Sequence, residues 1–384
     1  MGVRVAVVGA GIGGLVLAAG LQRDGHDVRV HERRADAGAL GAGLTLSGNA
    51  FAALDAIGLG ERVRAVTGAG VAGLRAGQRR PSGRWMTTLP PAAVASLRSV
   101  HRADLHRALL DALRDGTLRT GAAASVSPDG APVLRTPGGA EEFDLVVAAD
   151  GLRSSSRSAL GLDTGLRRAG YLAWRGVTAG ALDVGGQAGE TWGRGQRFGV
   201  VPLPDGRVYW FATAAAPPGP ADGAADDLDA LRERFGTWHD PVPACLAATP
   251  PGAVLRHDVH DLRRPLRSFV VDRTVLLGDA AHAMTPDLGQ GAGQAIEDAA
   301  TLVVLLRGAR GGGDLRPALA RYDRDRRRRT SRVARRSRSV GAVGQLAHPL
   351  AVAVRDAALS ATPGPVLARA AEPLQRWAPP RPAG

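Results

Sequence analysis

Short apolar runs and helical stripes alternate along the first 160 residues. Val3–Val8 is a β-type run that stops at Gly9, Gly11 and Gly14, spaced G-x-G-x-x-G, and a helical stretch follows to about Asp24. A second β-type run, Asp27–His31, ends in Glu32. The pattern then predicts a short strand at Leu44–Leu46, a helix over Asn49–Ile57, and short strands within 71–90 broken by Gly and Pro. Ser99–Leu113 carries a helical stripe of Leu105, Leu109, Ala112 and Leu113. Strands are expected at Ala122–Val126 and Val133–Arg135. Phe143–Ala149 is apolar throughout, the pattern of a parallel strand covered on both faces; it ends in Asp150-Gly151, and LRSSSR leads into a helix.

The period changes over 166–269. GYLAWRGVT, GQRFGVVPLP and GRVYWFAT alternate between apolar and polar, separated by Gly and Pro turns, which predicts an antiparallel sheet. Four of six Trp and two of three Tyr fall between 166 and 240, so this sheet is expected to wall a ligand, with Leu228–Phe235 as a helix upon it. Thr274–Leu277 returns to the buried-strand pattern, with Asp279 at its end. Pro286 and the turn Gly289-Gln290-Gly291 precede a long helix, Ala292–Leu306; a helix over Asp314–Val340 and a helical tail ending in prolines follow.

Composition narrows the possibilities. A length of 384 residues suits about two domains. Hydrophobic residues make up 45% and aromatics only 4%, so packing relies on Ala, Val and Leu. No apolar run has the length of a membrane span, so no integral membrane segment is expected. Val3–Leu21 is apolar enough to suggest a secretion signal, but its leading region carries only Arg4 as a positive charge and five glycines interrupt it. The lone Cys245 excludes an internal disulfide framework and a C-x-x-C site, and a reducing cytoplasm fits. The formal charge of +13 raises nucleic acid as a partner. Every one of the 49 basic residues is Arg, however, interleaved with 36 acids, and the densest run, Arg321–Arg338, has the spacing of a solvated helix face. No nucleic-acid partner is expected.

The first motif has a defined chemistry. Gly9 allows a tight turn, Gly11 lets backbone approach a pyrophosphate, and Gly14 lets the helix pack against the strand. The helix N-terminus offers free N–H groups to phosphate. Glu32 accepts hydrogen bonds from ribose hydroxyls and repels a 2′-phosphate, which favours FAD or NAD over NADP. Thr45 either places a hydroxyl near the nucleotide or is an ordinary strand residue. Arg102, at a helix start, opposes the helix dipole and needs an anion, either a cofactor phosphate or a carboxylate. Asp150 lies at the carboxyl end of a buried strand, where open α/β sheets bind ligands. The turn at Gly289–Gly291 repeats the logic of the first motif.

Three motifs in this order resemble one family: the para-hydroxybenzoate hydroxylase-like, single-component, FAD-dependent aromatic hydroxylases. The residues are GAGIGG at 9–14 with Glu32, AADGLRSSSR at 148–157, and GDAAHAMTPDLGQGAGQAIEDA at 278–299. The resemblance covers roughly residues 1–340. It implies an α/β fold: a Rossmann-like FAD-binding domain (GR2-type) interleaved with a β-sheet-rich substrate domain and C-terminal helices. The expected division is 1–75, 97–165 and 270–335 for FAD, 76–96 with 166–269 for substrate, and 336–384 as a C-terminal helical segment.

The same resemblance implies residue roles. Gly9, Gly11, Gly13 and Gly14 bind the FAD pyrophosphate, and Glu32 and Arg33 lie at the adenosine ribose. Arg102 contacts FAD, Val126 offers backbone on the adenine side, and Asp150 and Gly151 contact FAD and the nicotinamide nucleotide. Asp279 holds the ribityl chain. Pro286, Gly289, Gln290, Gly291, Ala292 and Gly293 lie by the isoalloxazine, where backbone N–H groups stabilise reduced, anionic flavin. Many relatives carry Asn or Cys where this chain has Gly293. The implied activity is hydroxylation of an aromatic or polycyclic small molecule with NADH or NADPH and O₂, through a flavin hydroperoxide. A monomer or homodimer is expected.

Candidate catalytic residues are Arg197, Tyr209 and Gln290. Arg197 and Tyr209 fall on adjacent predicted strands, and their spacing resembles the Arg/Tyr pair with which urate-hydroxylase-like members bind and activate substrate. A guanidinium holds an anion, and a phenol donates or accepts a hydrogen bond. The alternative is that both segments are generic sheet. Arg175, in AWRG, is a further candidate, and His282 is expected to be structural. Other functions to weigh are an epoxidase or halogenase on the same scaffold, a nicotinamide-only Rossmann dehydrogenase, and a basic surface binder. The halogenase lacks support, since the chain contains neither W-x-W-x-I-P nor any Lys.

Overall fold

The computed structural model describes residues 2–36, 41–68, 71, 73–215, 224–311 and 313–380. The first stretch runs β1 (Arg4–Val8), α1 (Ile12–Arg23), β2 (Asp27–His31), β3 (Gly43–Leu46), α2 (Gly48–Ala56), α3 (Gly60–Ala65), β4 (Arg75–Arg79) and β5 (Trp85–Thr88). It continues through α4 (Pro91–Val94), β6 (Arg98–His101), α5 (Arg102–Leu110), β7 (Leu118–Arg119), β8 (Ser125–Val126), β9 (Val133–Thr136), β10 (Gly139–Glu142), β11 (Leu145–Ala148) and α6 (Ser155–Ala159). The middle holds β12 (Leu166–Val177), β13 (Gln187–Trp192), β14 (Gln196–Pro202), β15 (Val208–Ala215), α7 (Ala224–Phe235), α8 (Val242–Ala247) and β16 (Leu255–Leu262). The rest is β17 (Val270–Val271), β18 (Thr274–Leu276), α9 (Asp279–His282), a 3₁₀ turn (Pro286–Leu288), α10 (Gly291–Leu305), α11 (Arg316–Gly344), α12 (Pro349–Ala361) and α13 (Gly364–Gln375).

Two sheets organise these elements. The first has the order β17-β18-β11-β1-β2-β7 and is parallel except for the β17–β18 pair. Its β11 is buried at every position, as its unbroken apolar run predicts. The chain leaves β1 for β2 on one side, and β11 pairs on the other, so the carboxyl end of β1 opens a crevice between diverging connections. Gly9 sits at that crevice.

The second sheet has the order β16-β12-β15-β14-β13-β4-β5, antiparallel except where β13 meets β4. Its period of two sorts the side chains. Trp174, Phe198 and Trp210 point to one face and pack with Phe235 and Trp238 near α7 and α8. Ala173, Arg175, Arg197, Phe211 and Thr213 point to the other, which faces the cavity described below.

Three expectations need correction. The strand foreseen at Ala122–Val126 shrinks to β8, because the preceding Gly121 turns the backbone to a φ of +64°. The run Arg321–Arg338 is not simply a solvated face. Arg326 is buried and bonded to Glu297 and Asp298, Arg329 pairs with Glu297, and Arg338 pairs with Asp261. Charge repeating at helical spacing does not reveal which turn meets a buried carboxylate. Helix α11 also runs past the expected Val340 to Gly344. A Cβ on Gly341 would lie 2.4 Å from Asp287 Oδ2, and one on Gly344 2.9 Å from Arg197 Cδ. Small residues there let the helix pass directly over the site.

Candidate active site

A cavity of about 1300 Å³ runs from the N-terminus of α1 to the second sheet. At the first end the walls are mostly backbone. Gly9 has a φ of +108°, and a Cβ there would fall 2.5 Å from the Ala149 carbonyl oxygen. A Cβ on Gly14 would fall 2.2 Å from the Gly9 carbonyl oxygen, so α1 packs against β1 only because both residues are glycine. On Gly11 it would meet nothing within 4 Å. Gly11, Gly13 and Gly14 all line the cavity, and no side chain caps α1. Its first N–H groups are therefore open to an anionic ligand.

Glu32 accepts from the Ala10 N–H at 3.0 Å and the Arg34 N–H at 2.9 Å, which fixes its carboxylate beside the glycine turn. Arg33 is exposed next to it. Arg102 is the first residue of α5; its N–H donates to the Ala42 carbonyl at 2.9 Å, and its guanidinium makes no hydrogen bond or salt bridge among the described residues. Burial and the nearby Arg175 weaken its hold on its proton, and Asp279 opposes both. Thr45, Arg102 and Gly151 line the cavity. Asp150 and Val126 do not. The Asp150 carboxylate turns to α6, accepting from Ser154 Oγ at 2.5 Å and the Ser156 N–H at 3.0 Å, and Val126 is buried in the core.

The third motif lies across the cavity. Asp279 opens α9 after Gly278 (φ +64°) and is exposed to the cavity. Pro286, Gly289 (φ +62°), Gln290, Gly291 and Ala292 form the wall that follows. No side chain caps α10, so its leading N–H groups also face inward unpaired. The Gln290 side chain is engaged elsewhere: Oε1 accepts from Asn49 at 3.0 Å, and Nε2 donates to Ser47 Oγ at 3.2 Å. The turn thus presents backbone to the cavity. A Cβ on Gly293 would sit 3.3 Å from Asn49 Nδ2, so glycine suits this crowded spot. Behind the wall, the buried Asp298 accepts from the Gly278 N–H at 2.9 Å and contacts His282 Nε2 at 2.5 Å. His282 is accordingly a buttress. Burial would raise the Asp298 pKa, but His282 and Arg326 hold it below the usual range.

The second end is built from side chains. Strand registry places Glu190, Gly199, Phe211 and Arg175 in one row across β13, β14, β15 and β12. Trp192, Arg197, Thr213 and Ala173 form the next row, and Val201, Tyr209 and Val177 lie on the other side of the first. Arg197 and Tyr209 share the cavity face but are not neighbours. Arg197 is opposite Thr213 and Tyr209 opposite Val201, four positions apart or about 13 Å along the strands. A Cβ on Gly199 would lie 2.1 Å from the Phe211 ring, which therefore lies flat on the sheet between them.

Arg197 is 2% exposed and bound by two acids. Its Nε and Nη2 donate to Glu190 Oε2 at 3.0 and 2.5 Å, and Nη1 donates to Asp287 Oδ1 at 2.6 Å. Burial alone would lower its pKa; the two carboxylates raise it. The Tyr171 hydroxyl donates to Asp287 Oδ2 at 2.7 Å, and its pKa is raised by burial and by Asp287. Tyr209 is buried against Gly43, and burial raises its pKa. The expectation of a guanidinium free to hold an anion is thus corrected, since both faces of its fork are taken. Glu190 and Asp287 were not foreseen: GETWG matches no motif, Asp287 lies within the third motif without a role read for it, and only the registry and the fold over α11 bring them to Arg197.

Comparison with known proteins agrees with this geometry. The model of the FAD binding domain family matches residues 2–337. The chain is 38% identical over 367 residues to an aurachin C monooxygenase/isomerase of Stigmatella aurantiaca, covering 92% of this chain and 93% of that one. It is 33% identical to an FAD-dependent urate hydroxylase of Klebsiella pneumoniae, covering 84% of this chain and 85% of the relative. The crystal structure of Klebsiella pneumoniae HpxO with FAD and uric acid superposes with a TM-score of 0.87 at 28% identity, covering 97% of this chain and 96% of that one. A salicylate hydroxylase substrate complex gives 0.78 at 26% identity, covering 98% and 96%.

Proposed function

The chain belongs to the FAD-binding domain family, as an FAD-dependent monooxygenase, and from that premise we propose that it hydroxylates an aromatic or polycyclic small molecule lying on the face of the second sheet. The carrying observation is one continuous cavity with a backbone-built phosphate end and an aromatic, hydrogen-bonding end.

The residues fit FAD. In the proposal Gly9–Gly14 and the α1 N-terminus hold the pyrophosphate, Glu32 and Arg33 flank the ribose, Arg102 meets phosphate, and Asp279 accepts from the ribityl hydroxyls. The uncapped N-terminus of α10 faces the ring. Bound FAD would supply hydride acceptance from NADH or NADPH and O₂ activation, the chemistry by which one oxygen atom enters a substrate and the other leaves as water. The protein's share is orientation and dryness. Phe211, flat over Gly199, gives the substrate ring a stacking surface, with Tyr209 at its edge. Gln290 acts by holding the turn rather than by touching substrate. Asp150 acts by ordering the start of α6.

The proposed division of the chain remains 1–75, 97–165 and 270–335 against 76–96 and 166–269, with 336–384 as a helical cover. It is supported by β4 and β5 pairing into the second sheet. No described helix is long and apolar enough to cross a membrane. The proposal places the protein in the cytoplasm as a monomer or homodimer, and the buried lone thiol suits a reducing compartment. The test is the visible spectrum of the purified protein with identification of the released chromophore, followed by ring-stimulated NADH or NADPH oxidation. A protein that stays colourless after added FAD ends the proposal.

A further inference from the structure

From the walls of the cavity beyond the edge of β13, we infer that the ring substrate carries an aliphatic chain, which lies in an apolar lobe walled by α4 and α13. This rests on the hydroxylase proposal and deepens it. The second sheet leads into the lobe. The row of Arg175, Phe211, Gly199 and Glu190 continues through strand registry to Gln78 on β4, which also lines the cavity. Leu89, Val94 and Leu97, on and around α4, line the cavity there, and so do Leu367, Ala371 and Leu374 of α13.

Spacing and attachment make this a built wall. Leu367, Ala371 and Leu374 stand at i, i+4 and i+7, so they share one face of α13. No residue of α13 is buried and these three are half-buried, so the apolar face meets the cavity instead of a core. The helix is held at both ends. A Cβ on Gly364 would fall 1.9 Å from the Thr88 carbonyl oxygen, just before α4. At the other end, Arg329 of α11 donates to the carbonyls of Pro373 and Leu374, each at 3.3 Å. Leu89 and Leu97 pack with the buried Val94 and Ala76. The cations of the cavity stand elsewhere. Arg175 is registered opposite Phe211, at the ring. Arg332, Arg335 and Arg336 of α11 are exposed and form no ion pair among the described residues, so they mark the opening to solvent. An alkyl chain has no polar group to satisfy and gains from each methylene withdrawn from water. A polar extension would leave its donors and acceptors unpaired against the leucines and valine.

Two probes test the lobe: 4-methylphenol and 4-heptylphenol, which differ only in chain length. Each is titrated into the FAD-loaded enzyme, and Kd is read by calorimetry. Burying one methylene tightens binding by up to about fourfold, so the heptyl compound should bind the wild type about thirtyfold or more tighter than the methyl compound. Ala371→Trp puts an indole into the lobe and should cut that ratio by about tenfold. Should Ala371→Trp fail to hold flavin, Leu367→Gln takes its place and should cut the ratio by about threefold. A smaller wild-type ratio, as a lobe covered by a second copy of the chain would give, overturns the inference. So does failure of both phenols to bind, or a ratio unchanged in the variant. In each of these cases the bound flavin leaves the family function standing. A wild type without flavin overturns both proposals.

Discussion

The two ends of the cavity are made of different material. At the crevice of the first sheet, Gly11, Gly14, Gly289 and Gly291 offer backbone, and the N-termini of α1 and α10 supply the field. At the second sheet the surface is Glu190, Arg197, Tyr209 and Phe211, held by strand registry and by α11 pressing on Asp287. A backbone site tolerates little change: Gly14 has no room for a Cβ, Gly289 holds a φ of +62°, and a side chain on Gly11 or Gly291 would project beside a helix N-terminus that a ligand must approach. A side-chain site is tuned one residue at a time. The first end therefore suits a cofactor common to many proteins, and the second a substrate particular to one.

Substitutions should separate the two ends by size of effect. Gly14→Val should be the most severe. It drives a side chain into the Gly9 carbonyl, and loss of soluble, flavin-bearing protein is expected on purification. Asp279→Ala should next abolish flavin retention or lower turnover by about a hundredfold or more, measured by flavin-to-protein ratio and NAD(P)H oxidation. Wild-type values for both would remove Asp279 from the cofactor site. Arg326→Met removes one cationic partner from each of two buried carboxylates behind the flavin wall, leaving Arg329 on Glu297 and His282 on Asp298, and should cost about 3 kcal/mol in denaturant unfolding.

At the second end the effects should shrink. Tyr209→Phe removes one hydroxyl and should raise KM by about 2- to 12-fold, with flavin content unchanged. An equal loss of flavin would show that the two ends are not separable. The smallest effect lies outside both. Burial pushes the Cys245 thiol up to about 12. The unfolded thiol ionises from about pH 8.5 while the folded one stays protonated, so Cys245 stabilises the fold fully below about 8.5. That contribution should fall by about 1.4 kcal/mol per pH unit above it, visible as a difference between wild type and Cys245→Ala in unfolding at pH 8 and 10.

Four of the six strands of the first sheet, β1, β2, β11 and β18, were legible in the sequence; the two-residue edge strands β7 and β17 were not. Asp27–His31 was located to the residue, and the run Phe143–Ala149 announced a strand covered on both faces, because burial on two sides demands uninterrupted apolar character. The alternation over 166–269 likewise announced a sheet with two unlike faces. Harder to see were positions whose meaning depends on a partner far away. Arg197 was singled out, but as a free cation, because Glu190 and Asp287, 7 residues before and 90 after, signal nothing in sequence. Arg326 looked like any other arginine of its run until Glu297 and Asp298 closed on it.

The sequence by itself determined what is local. Glycine spacing, strand-to-helix turns and the order of three motifs follow from φ, ψ and helix dipoles, which neighbours along the chain control. Only the tertiary structure decided which charges are spent on each other and which remain for a ligand. Hydrogen-bond donors and acceptors are satisfied by whatever the fold brings within about 3 Å, and that depends on registry and packing between segments far apart in the chain.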